Sequence, residues 1–165
     1  MWAFMTTGTA RFLKDITDSH PTIDFYFMKR AASTLVYYED KRKKGVFVSG
    51  RSFSILSKYG VLKKEGFVVM NNIPIMEDGS AVFEDQVKKK LPLIENTEGL
   101  NAIRLLKQAK KNHYMVLTQW KTERHYTTWQ KSERFNQMDF VNVARLPAYF
   151  AERPYSASYY MMKEE

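Results

Sequence analysis

The chain has 165 residues, 44% of them hydrophobic, so it can bury the core of one large domain or two small ones and is not disordered by composition. It contains no cysteine, which excludes a disulfide scaffold, a zinc–cysteine site and a thiol nucleophile. The net charge is +8, and residues 1–65 carry +6 of it, with 12 Lys and Arg against 6 Asp and Glu.

Much of this excess comes from one basic run, residues 41–44 (KRKK). Such a run can attract an acidic partner, but it is more often the solvated tip of a hairpin. A nucleic-acid site would need aromatic side chains interleaved with the basic ones, and only Tyr37 and Tyr38 lie nearby. We therefore predict no nucleic-acid partner.

No segment approaches the roughly 20 apolar residues of a membrane-spanning helix. The N-terminal stretch, MWAFMTTGTARFLKD, lacks the basic region and the long apolar run of a secretory signal. These two features predict a soluble, cytoplasmic protein with no membrane span.

The first half of the chain has the pattern of a strand, a helix and further strands. Trp2–Thr6 is a short apolar strand, and Thr9 is placed to cap a helix over Ala10–Ile16. Segments 23–30 and 33–40 are rich in the aromatic and β-branched residues that favour strands.

The middle of the chain contains one short and one longer helical pattern on either side of a strand. SFSILSKYG, residues 52–60, predicts a short helix that ends at its glycine. FVVMNNIPI, residues 67–75, predicts a strand whose Pro74 suits an edge or a bulge. The following helix has an apolar stripe of residues at helical spacing, Phe83, Val87, Leu91 and Ile94. We expect Pro92 to end or kink this helix.

The last part of the chain predicts two more strands, a helix and a final strand. The two strands, 100–108 and 112–120, are joined by a polar turn, and a helix follows over Thr122–Phe135. Residues 136–153 have no regular pattern, and 154–163 alternates like a strand.

From Phe67 onward the order is therefore β-α-β-β-α-β, the split βαβ of a ferredoxin-like fold. Residues 1–64 have the pattern of a reduced version of the same unit. The sequence thus predicts an α+β protein with an N-terminal extension, 1–64, and a ferredoxin-like domain, 65–165. Two such sheets commonly pair as a dimeric α+β barrel, and here both would lie in one chain as a pseudo-dimer, leaving a monomer or a weak homodimer.

Asn71, Asn72 and Trp129 are the side chains most suggestive of a site. Neighbouring strand residues face opposite sides, so Met70 and Asn72 share one face and Asn71 lies on the other. Asn72 inside a barrel cavity and an asparagine solvated at a sheet edge are equally consistent with the sequence. A helix tryptophan such as Trp129 is usually a core residue. The three histidines have no metal-ligand spacing.

Three segments together resemble the antibiotic-biosynthesis-monooxygenase superfamily: FVVMNNIPIMEDGSAVFED, EGLNAIRLLK and YMVLTQWKTERHYTTWQKSERF. The resemblance covers residues 66–135 and is greatest to the haem-degrading monooxygenases of the IsdG and HmoB type. The layout of the whole chain, with TTGTARFLKDI near its start and RPYSASYYMMKEE at its end, also resembles HmoB and the related staphylococcal TRAP signal transduction protein.

The resemblance implies a haem site with a strand asparagine, a helix tryptophan and a histidine ten positions after that tryptophan. Asn72 matches the asparagine, which would hydrogen-bond near the distal ligand, and Trp129 matches the tryptophan that distorts the macrocycle. The histidine would ligate iron, but Asp139 occupies its position, and a carboxylate is a weaker, harder ligand for haem. Met138 through sulfur and Tyr149 through its hydroxyl are the other candidate metal ligands.

Two functions of different classes follow from this resemblance. In the first, the chain is a haem-degrading monooxygenase, with haem as cofactor and substrate and an electron donor as partner. A variant of it is a cofactor-independent oxygenase that acts on another aromatic small molecule in the same cavity. In the second, it is a non-enzymatic TRAP-like signalling or stress-response protein that has lost haem ligation. Asn72 and Trp129 favour the first function, and Asp139 favours the second.

Overall fold

The computed structural model describes residues 1–133, 135 and 151–163. The first half of the chain forms β1 (Trp2–Gly8), α1 (Ala10–Asp18), β2 (Tyr26–Arg30), β3 (Ser33–Asp40) and β4 (Arg51–Gly60). The described part of the second half forms β5 (Phe67–Pro74), α2 (Ser80–Lys90), β6 (Leu100–Gln108), β7 (His113–Trp120), α3 (Glu123–Gln130) and β8 (Tyr155–Met161). Short 3-10 turns, Glu77–Gly79 and Leu91–Leu93, flank α2.

The eight strands close into one antiparallel barrel, in the order β1-β3-β2-β8-β5-β7-β6-β4. Each half of the chain supplies four neighbouring strands, and the two four-stranded sheets meet where β2 pairs with β8 and β4 pairs with β6. Within each sheet the strands follow the order fourth, first, third, second, which is that of a ferredoxin-like unit. The predicted fold, a pseudo-dimeric α+β barrel within one chain, is confirmed. The predicted boundary between residues 64 and 65 falls between β4 and β5 and stays a prediction.

The first half is a reduced unit because the helix expected between its third and fourth strands is absent. The connection between β3 and β4 carries the exposed basic run 41–44 and then the apolar pair Val46 and Phe47, which pack on the outer cluster of this half. The Val46 N–H donates to the Tyr38 hydroxyl at 2.8 Å. An apolar loop therefore covers the sheet where α3 covers it in the other half.

The helix predicted over 52–60 is wrong, because these residues form β4. Phe53 and Ile55 face the barrel core, and β4 pairs with both β1 and β6, with a bulge between Ile55 and Ser57. The local pattern was ambiguous, and the ladder hydrogen bonds that close the barrel decide its conformation.

The apolar side chains form an interior layer and an outer layer. The interior layer fills the barrel with residues from both halves, among them Met5, Leu35, Phe53, Met70, Met115 and Leu117. The outer layer lies between the sheet and the helices. In it the predicted stripe of Phe83, Val87, Leu91 and Ile94 is buried, which confirms the face of α2. The helix ends at Lys90, two residues before Pro92, as expected.

The prediction that Pro74 lies at an edge or a bulge is wrong, since β5 lies between β8 and β7 and its pairing with β7 continues through Pro74 without a register shift. Pro74 is the last residue of β5, and the pairing with β8 stops at Asn72. The missing N–H of the proline therefore breaks no bond to β8, while its carbonyl accepts from the Ala151 N–H at 3.1 Å.

A buried ion pair joins the two halves inside the barrel. Arg104 of β6 has only 2% of its side chain exposed and donates from Nε to Glu39 Oε2 of β3 at 2.7 Å. The same carboxylate accepts from the Tyr37 hydroxyl, and Arg104 Nη1 donates to the Tyr59 carbonyl at 2.8 Å. Burial and the neighbouring Glu39 raise the pKa of Tyr37 well above its ordinary value.

Among the described residues, no helix has the length and apolar character needed to cross a membrane.

Candidate functional site

The two faces of β5 separate the adjacent asparagines. Val68 and Met70 belong to the barrel interior, whereas Phe67, Val69 and Ile73 belong to the outer layer beneath the helices. By strand alternation Asn72 therefore faces the interior and Asn71 faces the helices. Asn71 is partly exposed and pairs in register with Val116 of β7 and Ser156 of β8.

Asn72 is buried at the end of the barrel interior, with 4% exposure. Its Oδ1 lies 3.3 Å from the Nε2 of His113, and its Nδ2 donates weakly to the Met70 carbonyl at 3.4 Å. The structure thus places Asn72 and Trp129 on opposite sides of the sheet, and the asparagine on the tryptophan's side is Asn71. Both faces of this strand are apolar and buried, so the sequence pattern held no signal for which face the helices cover.

Helix α3 carries Trp129 and is defined by its caps. The Thr122 hydroxyl accepts from the His125 N–H at 3.2 Å, which fixes the N-terminus one residue after the predicted start. The Lys131 N–H donates to the Thr127 carbonyl, and the helix ends at Gln130 instead of the predicted Phe135. The Tyr160 hydroxyl of β8 donates to Glu123 at 2.5 Å and thereby ties the start of α3 to the sheet.

An aromatic cluster lies between α3 and the sheet. The rings of Trp120 and Trp129 have centroids 5.3 Å apart at an interplanar angle of 32°. Tyr126 approaches both indoles, and Phe135 meets Trp129 edge-on at 5.0 Å. Phe67 of β5 extends the cluster toward Tyr126. Together these rings form an apolar cluster on the same side of the sheet as Asn71, in which Phe67 and Trp120 are buried and Tyr126, Trp129 and Phe135 are partly exposed.

The two indole N–H groups of this cluster differ in their hydrogen bonding. The Trp120 Nε1 donates to the Thr118 hydroxyl at 2.9 Å, and Trp120 is a fully buried core residue. The Trp129 Nε1 is buried and has no hydrogen-bond partner among the described residues. A buried unpaired donor costs about 1–3 kcal/mol and calls for an explanation, such as an acceptor brought by a ligand.

Trp129 also lines a cavity of about 340 Å³ between α3 and the turn before β6. The other lining residues are Thr97, Glu98, Arg124, His125, Thr128 and Ser132. The His125 ring is held there by the Thr122 hydroxyl, 2.7 Å from its Nδ1, and by close packing on Gly99. A Cβ on Gly99 would lie 2.2 Å from the His125 ring, so this approach requires glycine. The cavity combines an aromatic wall with a guanidinium, an imidazole and a carboxylate.

Potential iron ligands on this side of the sheet are few. His113 lies on the opposite face with Asn72, where burial, followed by the charges of Arg51 and Lys111, lowers its pKa. Among the described residues, no group of three His, Cys, Asp or Glu side chains is placed to hold a metal ion. The predicted positions Met138, Asp139 and Tyr149 lie outside the described residues. Among the described histidines, His125 of α3 lies on the helix side of the sheet and lines the cavity with Trp129, with its Nδ1 2.7 Å from the Thr122 hydroxyl.

Comparison with known proteins shows a family likeness in the second half of the chain. Residues 66–139 match the family "Antibiotic biosynthesis monooxygenase", which confirms the resemblance seen in the sequence. A heme-degrading monooxygenase of Listeria monocytogenes is 24% identical over 129 residues, which are 78% of this chain and 77% of that protein. The family match over residues 66–139 contains β5, Asn71, the aromatic cluster and α3.

Solved structures extend the likeness to nearly the whole fold. A major regulator of staphylococcal pathogenesis superposes with a TM-score of 0.89 at 21% identity, covering 99% of this chain and 100% of that one. A heme-degrading enzyme from Listeria monocytogenes superposes with a TM-score of 0.79 at 18% identity, covering 98% and 100%. At these identities the likeness concerns the fold, which a regulator and an enzyme share.

Proposed function

We propose, on the premise that residues 66–139 form a monooxygenase-like domain of this family, that the protein binds and oxidatively degrades haem. The relative named for haem degradation supports this choice of substrate. The proposed binding surface is the side of β5 that carries Asn71, together with the aromatic cluster of α3. Bound haem would supply the iron that activates dioxygen, and its macrocycle would be the substrate.

The observation that carries the proposal is the unpaired Trp129 Nε1 within an aromatic surface. A tryptophan that only seats a helix normally finds a partner for its N–H, as Trp120 does through Thr118. A ligand with a flat π-system and peripheral acceptors would satisfy both the ring faces and this donor. Haem has these properties, and Arg124 in the adjoining cavity is a suitable partner for a propionate.

Asn71 takes the role that the resemblance assigns to the strand asparagine. Its amide is on the helix side, it is partly exposed, and no described residue forms a hydrogen bond with its side chain. The amide can therefore donate to a group bound on this surface. Asn72 is already engaged with His113 on the interior side and does not share this surface.

One site per chain is expected. The corresponding outer surface of the first half is filled by Val46 and Phe47, and Phe47 packs on Tyr38 with a centroid distance of 5.3 Å. A Cβ on Gly45 would lie 2.6 Å from the Phe4 ring, so the loop lies directly on that surface. The pseudo-symmetric position has no room for a second macrocycle.

The axial ligand decides between degradation and a non-enzymatic role. No histidine follows His125 in the sequence, and Asp139 occupies the position that the resemblance gives to the ligand. This substitution favours the second candidate, a TRAP-like signalling or stress-response protein that keeps the fold without tight haem ligation. The two candidates differ in what they predict for haem binding and turnover.

Titration with haemin tests the proposal directly. We expect a shift of the Soret band that saturates at one equivalent and bleaches when ascorbate is added under air. Trp129→Ala should weaken saturation, while Phe12→Ala, an exposed aromatic residue on α1, serves as the control. A saturable shift without bleaching would support haem binding but contradict haem degradation. If no saturable shift forms, the haem proposal fails and the non-enzymatic candidate remains.

A further inference from the structure

A second cavity, of about 560 Å³, lies in the first half of the barrel, away from Trp129 and Asn71. Its walls are one face of α1, the segment between α1 and β2, and the chain just after β8. This volume falls within the range of roughly 300–1,000 Å³ typical of small-molecule sites. The haem proposal makes no use of it.

The inner wall of this cavity is apolar and firmly built. Ile23 and Phe27 are partly buried against the outer cluster of this half, so each keeps some surface toward the cavity. Met162 completes the wall, because its N–H donates to the Phe27 carbonyl at 2.8 Å and fixes the end of the chain beside β2. This backbone hydrogen bond attaches Met162 to β2, so the apolar wall is continuous with the sheet.

The rim of the cavity carries an excess of positive charge. Lys14 on α1 and Lys163 after β8 both line it, with Asp18 as the acidic residue among the lining side chains. Within the described part of the chain, neither lysine has a carboxylate within ion-pair distance. His20 adds a further polar group at the same rim. The cavity thus joins an apolar wall to two ammonium groups that form no ion pair with a carboxylate of residues 1–133 or 151–163.

We propose that this cavity binds a small amphipathic carboxylate, an aliphatic or aryl carboxylic acid, independently of the haem site. The apolar part lies on Ile23, Phe27 and Met162, which removes its surface from water at a gain of about 25 cal/mol per Å². The carboxylate lies at the rim between Lys14 and Lys163. Charge complementarity selects a monoanion over a neutral molecule of the same length, because only the monoanion pairs with the lysines.

Decanoate is a suitable probe, with 1-decanol as the neutral molecule of the same length. Calorimetric titration of the full chain should show saturable binding of decanoate, and Lys14→Gln and Lys163→Gln should each weaken it about two- to fivefold. Arg11→Gln, which removes an exposed charge from α1 outside the cavity, should leave the affinity unchanged. Binding of 1-decanol should be weaker and insensitive to the lysine variants.

A variant that fills the cavity and NMR mapping of the bound decanoate complete the test. Ala10 is exposed and lines the cavity, so Ala10→Leu should fill it without removing a core contact and should abolish decanoate binding. In amide NMR spectra, decanoate should shift Thr17, Ile23 and Phe27 and leave the Trp129 indole unchanged. Absence of saturable binding, wild-type affinity in both lysine variants, or shifts centred on Trp129 would each overturn the proposal.

Discussion

Asn71 and Asn72 are adjacent in β5 but belong to different compartments of the molecule. Asn72 is buried in the barrel interior and contacts His113, while Asn71 faces the layer beneath α3. The barrel wall is a single sheet whose side chains alternate between its inner and outer faces. A shift of the strand register by one residue would therefore exchange the environments of the two asparagines. This relationship allows each asparagine to serve as the control for the other.

Asn71→Ala and Asn72→Ala should have opposite profiles. Asn71→Ala removes a hydrogen bond to the ligand, worth about 0.5–1.5 kcal/mol, so haemin affinity should fall about two- to tenfold with little change in unfolding. Asn72→Ala should lower the free energy of unfolding by about 1 kcal/mol and leave haemin affinity near wild type. Haemin titration and urea unfolding measure the two effects. The reverse pattern would assign the ligand to the barrel interior.

The two tryptophans of the aromatic cluster give a second paired prediction. Trp120→Phe should destabilise the protein by about 1–3 kcal/mol, because it leaves the Thr118 hydroxyl unpaired and a void in a fully buried position. Trp129→Phe removes a donor that has no partner, which offsets part of the lost contact, so the cost should be smaller. Urea unfolding followed by circular dichroism compares the two variants. A larger loss for Trp129→Phe would show that its indole N–H is paired in solution.

Much of the fold could be predicted from local patterns in the sequence. The apolar stripe on α2 and the strands of the second half were readable because each pattern is long and periodic. The assignment of 52–60 as a helix was wrong because β4 is held by β1 and β6, partners distant in sequence. Closure of the barrel followed from the resemblance to paired ferredoxin-like sheets and not from any single segment.

The candidate site was predictable only in part. Trp129 stood out because tryptophan is rare, and the structure places it in the aromatic cluster of the proposed site. The choice between Asn71 and Asn72 was not available from alternation, since Phe67 and Val68 are both buried and the strand has no polar face. The unpaired Nε1 of Trp129 and both cavities depend on tertiary packing, which local sequence patterns do not predict.

The ion pair between Arg104 and Glu39 predicts non-additive effects on stability. Arg104→Met leaves the Glu39 carboxylate, which is 14% exposed, with Lys58 at 3.5 Å and the Tyr37 hydroxyl as its partners among the described residues, so a loss of about 3 kcal/mol is expected. The double variant Arg104→Met/Glu39→Leu should cost less than the sum of the two single changes, with a coupling of about 1 kcal/mol or more. Additive losses in urea unfolding would show that the pair adds nothing to the joining of the two halves.

The half-buried imidazole of His113 predicts a dependence of stability on pH. Its folded-state pKa lies below the ordinary value of 6.5, chiefly because of burial and then because of Arg51 and Lys111. The unfolded chain therefore binds more protons just below pH 6.5, and stability should fall as the pH is lowered through this window. His113→Gln should flatten the curve of unfolding free energy against pH in this window. An unchanged slope in His113→Gln would assign the acid sensitivity to another group.

The identity of residue 139 gives a prediction about haem ligation that rests on sequence alone. If the proposed surface is intact and lacks only its axial ligand, Asp139→His should tighten haemin binding by tenfold or more and sharpen the Soret band, because a neutral imidazole is a better iron ligand than a carboxylate. Asp139→Asn removes the same charge without supplying an imidazole and is the matched control. Equal tightening in both variants would attribute the gain to charge. No gain in Asp139→His, with the fold unchanged by circular dichroism, would show that more than the ligand separates this chain from haem-binding relatives.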